Sequence, residues 1–306
     1  MSGFSLRRSL LYVPGNMPSM LQNIPIFSSD CVMIDLEDAV PYIEKDAARI
    51  LVRNFLENYK NHNKEIFVRI NSLDTNLWRD DLNCILPAMP DGIRLPEANR
   101  PELVEKLDTM LTEYEEELGL TIGHFKILPS IETAEGVINC IKTAKSSSRL
   151  IGLAFGAEDY TASLEIERTK GGEELFAART RVVWACKAAG IQAIDTIFPD
   201  ASDMEALKTE TKLIKTLGFS GKSLVNPRQT DVIHEVFAPK QEEVDYALEV
   251  VDAIKRAREM GTGVISLHGK MVDAPIVKRS VTTLKIAQAH GLIDMELDEE
   301  EIYGRK

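Results

Sequence analysis

Eight short apolar runs, each ending in proline, glycine, asparagine or an acid, restrict the fold more than any other feature. They read LLYVPGN (10–16), CVMIDLED (31–38), EIFVRIN (65–71), GIRLPE (92–97), FKILPSIE (125–132), RLIGLAFGAED (149–159), QAIDTIFPD (192–200) and GKSLVNP (221–227). Continuous rather than alternating apolar character marks strands covered on both faces, as in parallel sheets. Several intervals carry apolar residues at helical spacing, such as Ala134, Val137, Ile138, Ile141 and Ala144, or Leu175, Ala178, Val182, Cys186 and Ala189. Strand and helix alternating eight times predict an α/β fold, a (β/α)8 TIM barrel, over residues 1–238. A doubly wound sheet is the rival arrangement, but its first βα turn would carry GxGxxG, and none follows the first run.

Residues 239–306 are too many for a closing helix. They hold a helical pattern (Val244, Ala247, Leu248, Val251, Ile254), a glycine-flanked turn MGTGVISLHGKMVDAP, and a final helix around Ile276 to Ala289. This segment is predicted to be a C-terminal helical extension that packs outside the barrel or reaches a neighbouring subunit. Gly261, Gly263 and Gly269 would serve as hinges if it acts as a lid.

Charge and cysteine usage exclude several function classes. With 36 Lys and Arg against 48 Asp and Glu, the chain has a formal net charge of −12, which argues against nucleic acid and anionic membrane surfaces as partners. An anionic substrate would need a local cation. The four cysteines form no CxxC and the five histidines no HxxxH or HExxH, so zinc is disfavoured. Isolated cysteines read as small buried hydrophobes, and their use suits a reducing cytoplasm. The leading LRRSLLYVPG is stopped by Pro14-Gly15 and is not expected to act as a signal peptide. No apolar stretch reaches the ~18 residues of a membrane span.

In such barrels the chemistry lies at the C-terminal mouth, where strands run into βα loops. Asp35, Glu37, Arg69, Asn71, Glu97, Glu132, Glu158, Asp159 and Asp200 all stand at that end of their runs. Side chains alternate along a strand, so Asp35 and Glu37 share a face and Arg69, one strand on, is placed to meet them. With Asp38 they form either a charge-assisted network around a site or a structural ion-pair cluster capping the barrel. Glu132 and Asp159 end consecutive strands, so their carboxylates can converge across one strand spacing of roughly 5 Å. Two hard oxygens without histidine or cysteine suit Mg²⁺, which keeps several waters and leaves positions for substrate oxygens. Helix capping by Asp159 and a dipole interaction by Glu132 form the structural alternative. Lys126 and Lys222 start their strands, the wrong end for a Schiff-base lysine, and are expected to be solvated rim charges.

Taken jointly, RRSLLYVPGN, DLEDAV, VRIN, PSIETAEGV, IGLAFGAEDY, GKSLVNPRQ, EVDYALEV and GKMVDAPIVKR resemble the citrate lyase beta subunit family. These are citryl-thioester (citryl-CoA) lyases of the HpcH/HpaI-type aldolase/lyase superfamily, and the likeness spans nearly the whole chain. It implies Mg²⁺-dependent carbon–carbon cleavage of a citryl thioester to oxaloacetate and an acetyl thioester such as acetyl-CoA. In the family's pattern the arginine of RIN binds substrate, the glutamate of IET binds metal and contacts substrate, and the aspartate of GAEDY binds metal. These fall on Arg69, Glu132 and Asp159. Asp35, Glu37 and Asp38 then form a supporting shell that orients Arg69 and metal-bound waters.

Related malyl- and citramalyl-thioester lyases bring an aspartate from the C-terminal segment to the site, often from a neighbouring subunit. Asp273 in GKMVDAP matches it as proton donor, with turn capping as the alternative. The resemblance also implies a homo-oligomer, a thioester on CoA or on an acyl carrier protein subunit, and a citrate lyase complex with alpha and gamma subunits. Two alternatives stay open: a free-standing malyl-CoA or citramalyl-CoA lyase, and a noncatalytic barrel that scaffolds a larger complex.

Overall fold

The computed structural model describes residues 5–59, 64–259, 265–295, 297 and 302. All eight apolar runs form strands: β1 (Ser9–Pro14), β2 (Cys31–Asp35), β3 (Glu65–Arg69), β4 (Gly92–Leu95), β5 (Lys126–Ile131), β6 (Gly152–Phe155), β7 (Gln192–Asp195) and β8 (Gly221–Leu224). Each pairs in parallel with its sequence neighbours, and β1 closes on β8 through Leu10 opposite Ser223. The result is the expected (β/α)8 TIM barrel. Contacts divide the chain into two compact units, residues 7–234 and a second unit that joins the N-terminal residues before Arg7 to the chain from residue 235 onward.

The barrel unit carries α1 (Pro18–Leu21), α2 (Lys45–Asn58), α3 (Trp78–Ile85), α4 (Pro101–Glu117), α5 (Ala134–Thr143), α6 (Ala157–Ser163), α7 (Phe176–Ala189) and α8 (Met204–Leu217); the division falls within α9 (Gln229–Phe237). Local chemistry sets the helix ends. Thr133 accepts from the Gly136 N–H and starts α5, while Asp203 does the same for Ala206 at the start of α8. Gly218 ends α8 at φ +106°, where a Cβ would be strained. The apolar stripe of α5 is narrower than its spacing suggests. Val137 and Cys140 are buried, but Ile138 and Ile141 are exposed on the flank.

Inside the barrel, Leu10, Cys31, Met33, Phe67, Leu128, Ala154 and Ile194 form a fully buried apolar floor. A fully buried large apolar side chain contributes roughly 1.5–3 kcal/mol, so this floor stabilises a barrel whose mouth is polar. Register then brings the mouth residues side by side, with Asp35 opposite Arg69 and Arg69 opposite Arg94.

The solvated reading of Lys222 is overturned. Lys222 is 0% exposed, and its Nζ donates to Asp195 Oδ2 at 2.7 Å and to Glu210. Arg179 joins through Nε to Asp195 Oδ1 at 2.9 Å. The cluster sits between the strands and the helices α7 and α8, because a β8 side chain of that parity points outward beneath the helix layer. Pairing makes the burial tolerable, and the lysine is structural. Lys126 is half-buried and donates to the Gly123 carbonyl.

The second unit contains α10 (Gln241–Glu259), the antiparallel pair β9 (Ile265–Leu267) and β10 (Lys270–Val272), and α11 (Ala274–Ala289). Val244, Ala247, Val250, Val251, Val277, Val281 and Leu284 pack as its core. The segment expected as a glycine-flanked turn is a hairpin, since His268 (φ +50°) and Gly269 (φ +75°) supply the two left-handed residues that a two-residue loop needs. Gly261 and Gly263 lie outside the described residues. All four cysteines are free thiols, three of them buried and Cys84 half-buried. Among the described residues no helix is long and apolar enough to cross a membrane.

Candidate active site

β2 ends in acid because Asp35 is the anchor of an ion-pair cluster. Asp35 is 1% exposed and takes a bidentate pair from Arg69, Nε to Oδ1 at 2.7 Å and Nη2 to Oδ2 at 2.6 Å. Its oxygens also accept the backbone N–H groups of Glu37 and Ala39, which folds the DLEDAV loop back over the strand end. Lys45 holds the same loop by donating to the carbonyls of Leu36 and Glu37, each at 2.7 Å. Arg69 Nη1 reaches Glu37 at 2.9 Å and Asp38 at 3.1 Å. The arginine of the RIN motif is therefore met by three carboxylates.

Burial pushes Asp35 up, but the Arg69 hydrogen bonds and charge and the two N–H groups outweigh it and hold the carboxyl below its usual range. Glu37 goes the other way. Burial, reinforced by Asp38, Glu132 and Asp35, overcomes the attraction of Arg69 and raises it to about 8.

Glu132 is 4% exposed at the end of β5. Its Oε1 accepts the Glu97 backbone N–H at 2.5 Å, and Glu97 adopts φ +48°, a left-handed conformation that costs a non-glycine residue about 1 kcal/mol. Gly156 is required on the other side: a Cβ there would stand 2.7 Å from Glu132 Oε2 and 2.8 Å from Glu132 Cβ. Asp159, in the first turn of α6, is exposed. Its carboxylate takes no hydrogen bond or ion pair from the described residues.

These residues fit a divalent cation. Burial raises the Glu132 pKa and the charge of Asp159 adds to it, while partial desolvation at the cavity wall and the charge of Asp38 raise that of Asp159. Two carboxylates whose ionisation is disfavoured on one cavity are relieved by a cation between them. Among the described residues no group of three or more His, Cys, Asp or Glu could hold a metal. The pair suits an ion such as Mg²⁺ that takes one or two carboxylates and completes its shell with water and substrate oxygens.

A cavity of about 480 Å³ opens at the mouth, lined by Tyr12, Asp35, Asp38, Arg69, Arg94, Glu132, Asp159 and Ser223 among others. Arg69, Glu132, Asp159, Asp35 and Asp38 thus come together, with Glu37 behind Arg69. Asp200 does not join them. β7 ends at Asp195, and Asp200 bonds Ser202 in an exposed turn beyond. Asn71 braces the loops, donating to Leu36 O and Asp81 Oδ2. Asp273 belongs to the second unit, where its carboxylate accepts the Ile276 N–H and caps α11. Sequence reasoning missed Tyr12 and Arg94. The ring of Tyr12 is within cation–π distance of two guanidinium groups, with Arg69 Cζ at 5.1 Å and Arg94 Cζ at 5.5 Å from its centroid. A signal existed in GIRLPE, where a lone arginine interrupts an apolar strand.

Residues 8–227 match the family described as HpcH/HpaI aldolase/citrate lyase. The citrate lyase subunit beta of Leuconostoc mesenteroides is 42% identical over 97% of this chain and 98% of its own length. The mitochondrial citramalyl-CoA lyase of Mus musculus is 32% identical over 92% of this chain and 86% of its own. Among solved structures, the protein CitE from Mycobacterium tuberculosis in complex with magnesium, acetoacetate and coenzyme A superposes with a TM-score of 0.75 at 25% identity, covering 93% of this chain and 99% of that one. With an eight-stranded barrel whose mouth gathers Arg69, Glu132 and Asp159, this chain belongs to the HpcH/HpaI aldolase/citrate lyase family.

Proposed function

We propose that the chain is the beta subunit of a citrate lyase, cleaving a citryl thioester to oxaloacetate and an acetyl thioester with Mg²⁺ held by Glu132 and Asp159. The observation that carries this is the Glu132–Asp159 carboxylate pair, both members raised above their usual pKa, on a cavity that also presents guanidinium groups. Bound there, Mg²⁺ would supply Lewis-acid stabilisation of the substrate oxygen that becomes the keto group. Arg69, fixed by Asp35, orients the substrate and stabilises negative charge at that oxygen. Glu37 and Asp38 set the position of Arg69. As a base takes the substrate's hydroxyl proton and the C=O of the keto product forms, the carbon–carbon bond breaks, and its electron pair passes to the acetyl thioester as an enolate, whose carbon must then take a proton.

Asp273 is proposed as the donor of that proton, on its correspondence to the family's aspartate in GKMVDAP. Asp273→Asn should bind oxaloacetate with Mg²⁺ as the wild type does, yet cleave at least about 10²-fold more slowly, since the lost step is proton transfer. Normal turnover would leave the residue as the cap of α11 alone.

The family also contains citramalyl-CoA lyases, so the acyl portion is decided by assay. Citryl, malyl and citramalyl thioesters, each on CoA and on an acyl carrier protein, form the panel. The citryl thioester should have the highest kcat/KM, and faster cleavage of citramalyl-CoA or malyl-CoA would replace the citryl reading. Failure on every thioester with Mg²⁺ present would make the chain a noncatalytic scaffold. A cytoplasmic homo-oligomer, alone or with alpha and gamma subunits, completes the proposal, and exposed Ile138, Ile141, Phe176 and Trp184 offer apolar surface for assembly.

A further inference from the structure

The cavity holds two guanidinium groups in opposite states. Arg69 is ion-paired through all three of its nitrogens. Arg94 has no ion pair with the described residues; its Nε donates to Ser130 Oγ at 3.0 Å, and Nη1 is buried without a hydrogen-bond partner. The residue is 3% exposed and lines the cavity. A buried charge without a counterion is costly unless a ligand pairs it. Glu132 is the nearby carboxylate, and in the proposed reaction it is committed to the metal.

The substrate offers a group of matching charge. A citryl thioester differs from a citramalyl thioester by one replacement, a methyl becoming a carboxymethyl, and that extra carboxylate stays on the keto product. The α-carboxylate and hydroxyl are needed to face the metal and Arg69. An unpaired guanidinium elsewhere on the same cavity is suited to the second carboxylate, by a fork that a carboxylate fills with two hydrogen bonds. We infer that Arg94 is the specificity-determining residue that recognises this second carboxylate and so selects citryl over citramalyl thioesters. This rests on the citryl reading above. Tyr12 packs its ring against both guanidinium groups, a contact that gives Arg94 no carboxylate of its own.

Calorimetric titration with oxaloacetate and with pyruvate, in the presence of Mg²⁺, tests Arg94 without turnover, because the two keto acids differ by the same carboxylate. The wild type should bind oxaloacetate on the order of 10- to 100-fold more tightly than pyruvate, the range for a hydrogen bond to a charged group. Arg94→Met should abolish that preference while leaving pyruvate affinity near the wild-type value, and Arg94→Lys should restore part of it. Cleavage assays should agree, with Arg94→Met losing kcat/KM for the citryl thioester and not for the citramalyl one. A preference that survives in Arg94→Met, or an equal loss for both ligands, overturns the inference. A wild type that cleaves the citryl thioester but binds both keto acids alike also overturns it, and leaves the lyase reading standing.

Discussion

Glu132→Gln and Asp159→Asn should each lose Mg²⁺ binding and lower cleavage by at least about 10²-fold, while both proteins stay folded. Each substitution removes one of the two carboxylates proposed to hold the metal and keeps the shape of the side chain. The effect on stability separates a metal ligand from a structural residue. Because burial raises the Glu132 pKa, this group favours the folded state most below the ordinary glutamate pKa, and that contribution is lost as pH rises through the folded value. At neutral pH without metal, Glu132→Gln should therefore match or exceed the wild type in Tm. Adding Mg²⁺ should raise Tm for the wild type, by linkage to the folded state, and for neither variant. Full activity of both variants in chelator, or an equal Mg²⁺ response in all three proteins, would remove the two carboxylates from metal binding.

Arg69→Lys should carry the second large effect, a fall in turnover of about tenfold or more together with a measurable loss of stability. The charge survives, but the planar fork that meets both oxygens of Asp35 does not. Asp35 is buried at 1% exposure, and a buried carboxylate left half-satisfied costs about 1–3 kcal/mol. Since the folded pKa of Asp35 is depressed, its contribution is present above the ordinary aspartate pKa and disappears as pH falls through the folded value. The wild type should thus gain stability over Arg69→Lys as pH rises from strongly acidic to neutral. Urea melts across that range read the difference. A lowered Tm with unchanged kcat/KM would restrict Arg69 to holding the loop.

The barrel was legible because parallel strands covered on both faces leave unbroken apolar runs, and all eight are strands. The cluster of Asp35, Glu37 and Arg69 follows from the period of two and from adjacent strands, and register delivers it. Glu132 and Asp159 were also legible as the ends of consecutive strands, but what holds Glu132 was hidden for physical reasons. Glu132 is held by the backbone of Glu97 and by the missing Cβ of Gly156, neither of which shows as a charged residue. Arg94 sits within a strand rather than at its end. Lys222 looked solvated because it begins a strand, yet its parity directs it under α7 and α8 to Asp195 and Glu210. Asp200 looked like a mouth residue because its apolar run outlasts β7.

Diffraction from crystals soaked with Mn²⁺ and oxaloacetate, recorded for anomalous scattering from manganese, tests the central claim most directly. The account predicts a manganese peak within bonding distance of carboxylate oxygens from both Glu132 and Asp159, with oxaloacetate completing its shell. Manganese bound elsewhere, or bound at the mouth without either carboxylate, would contradict it.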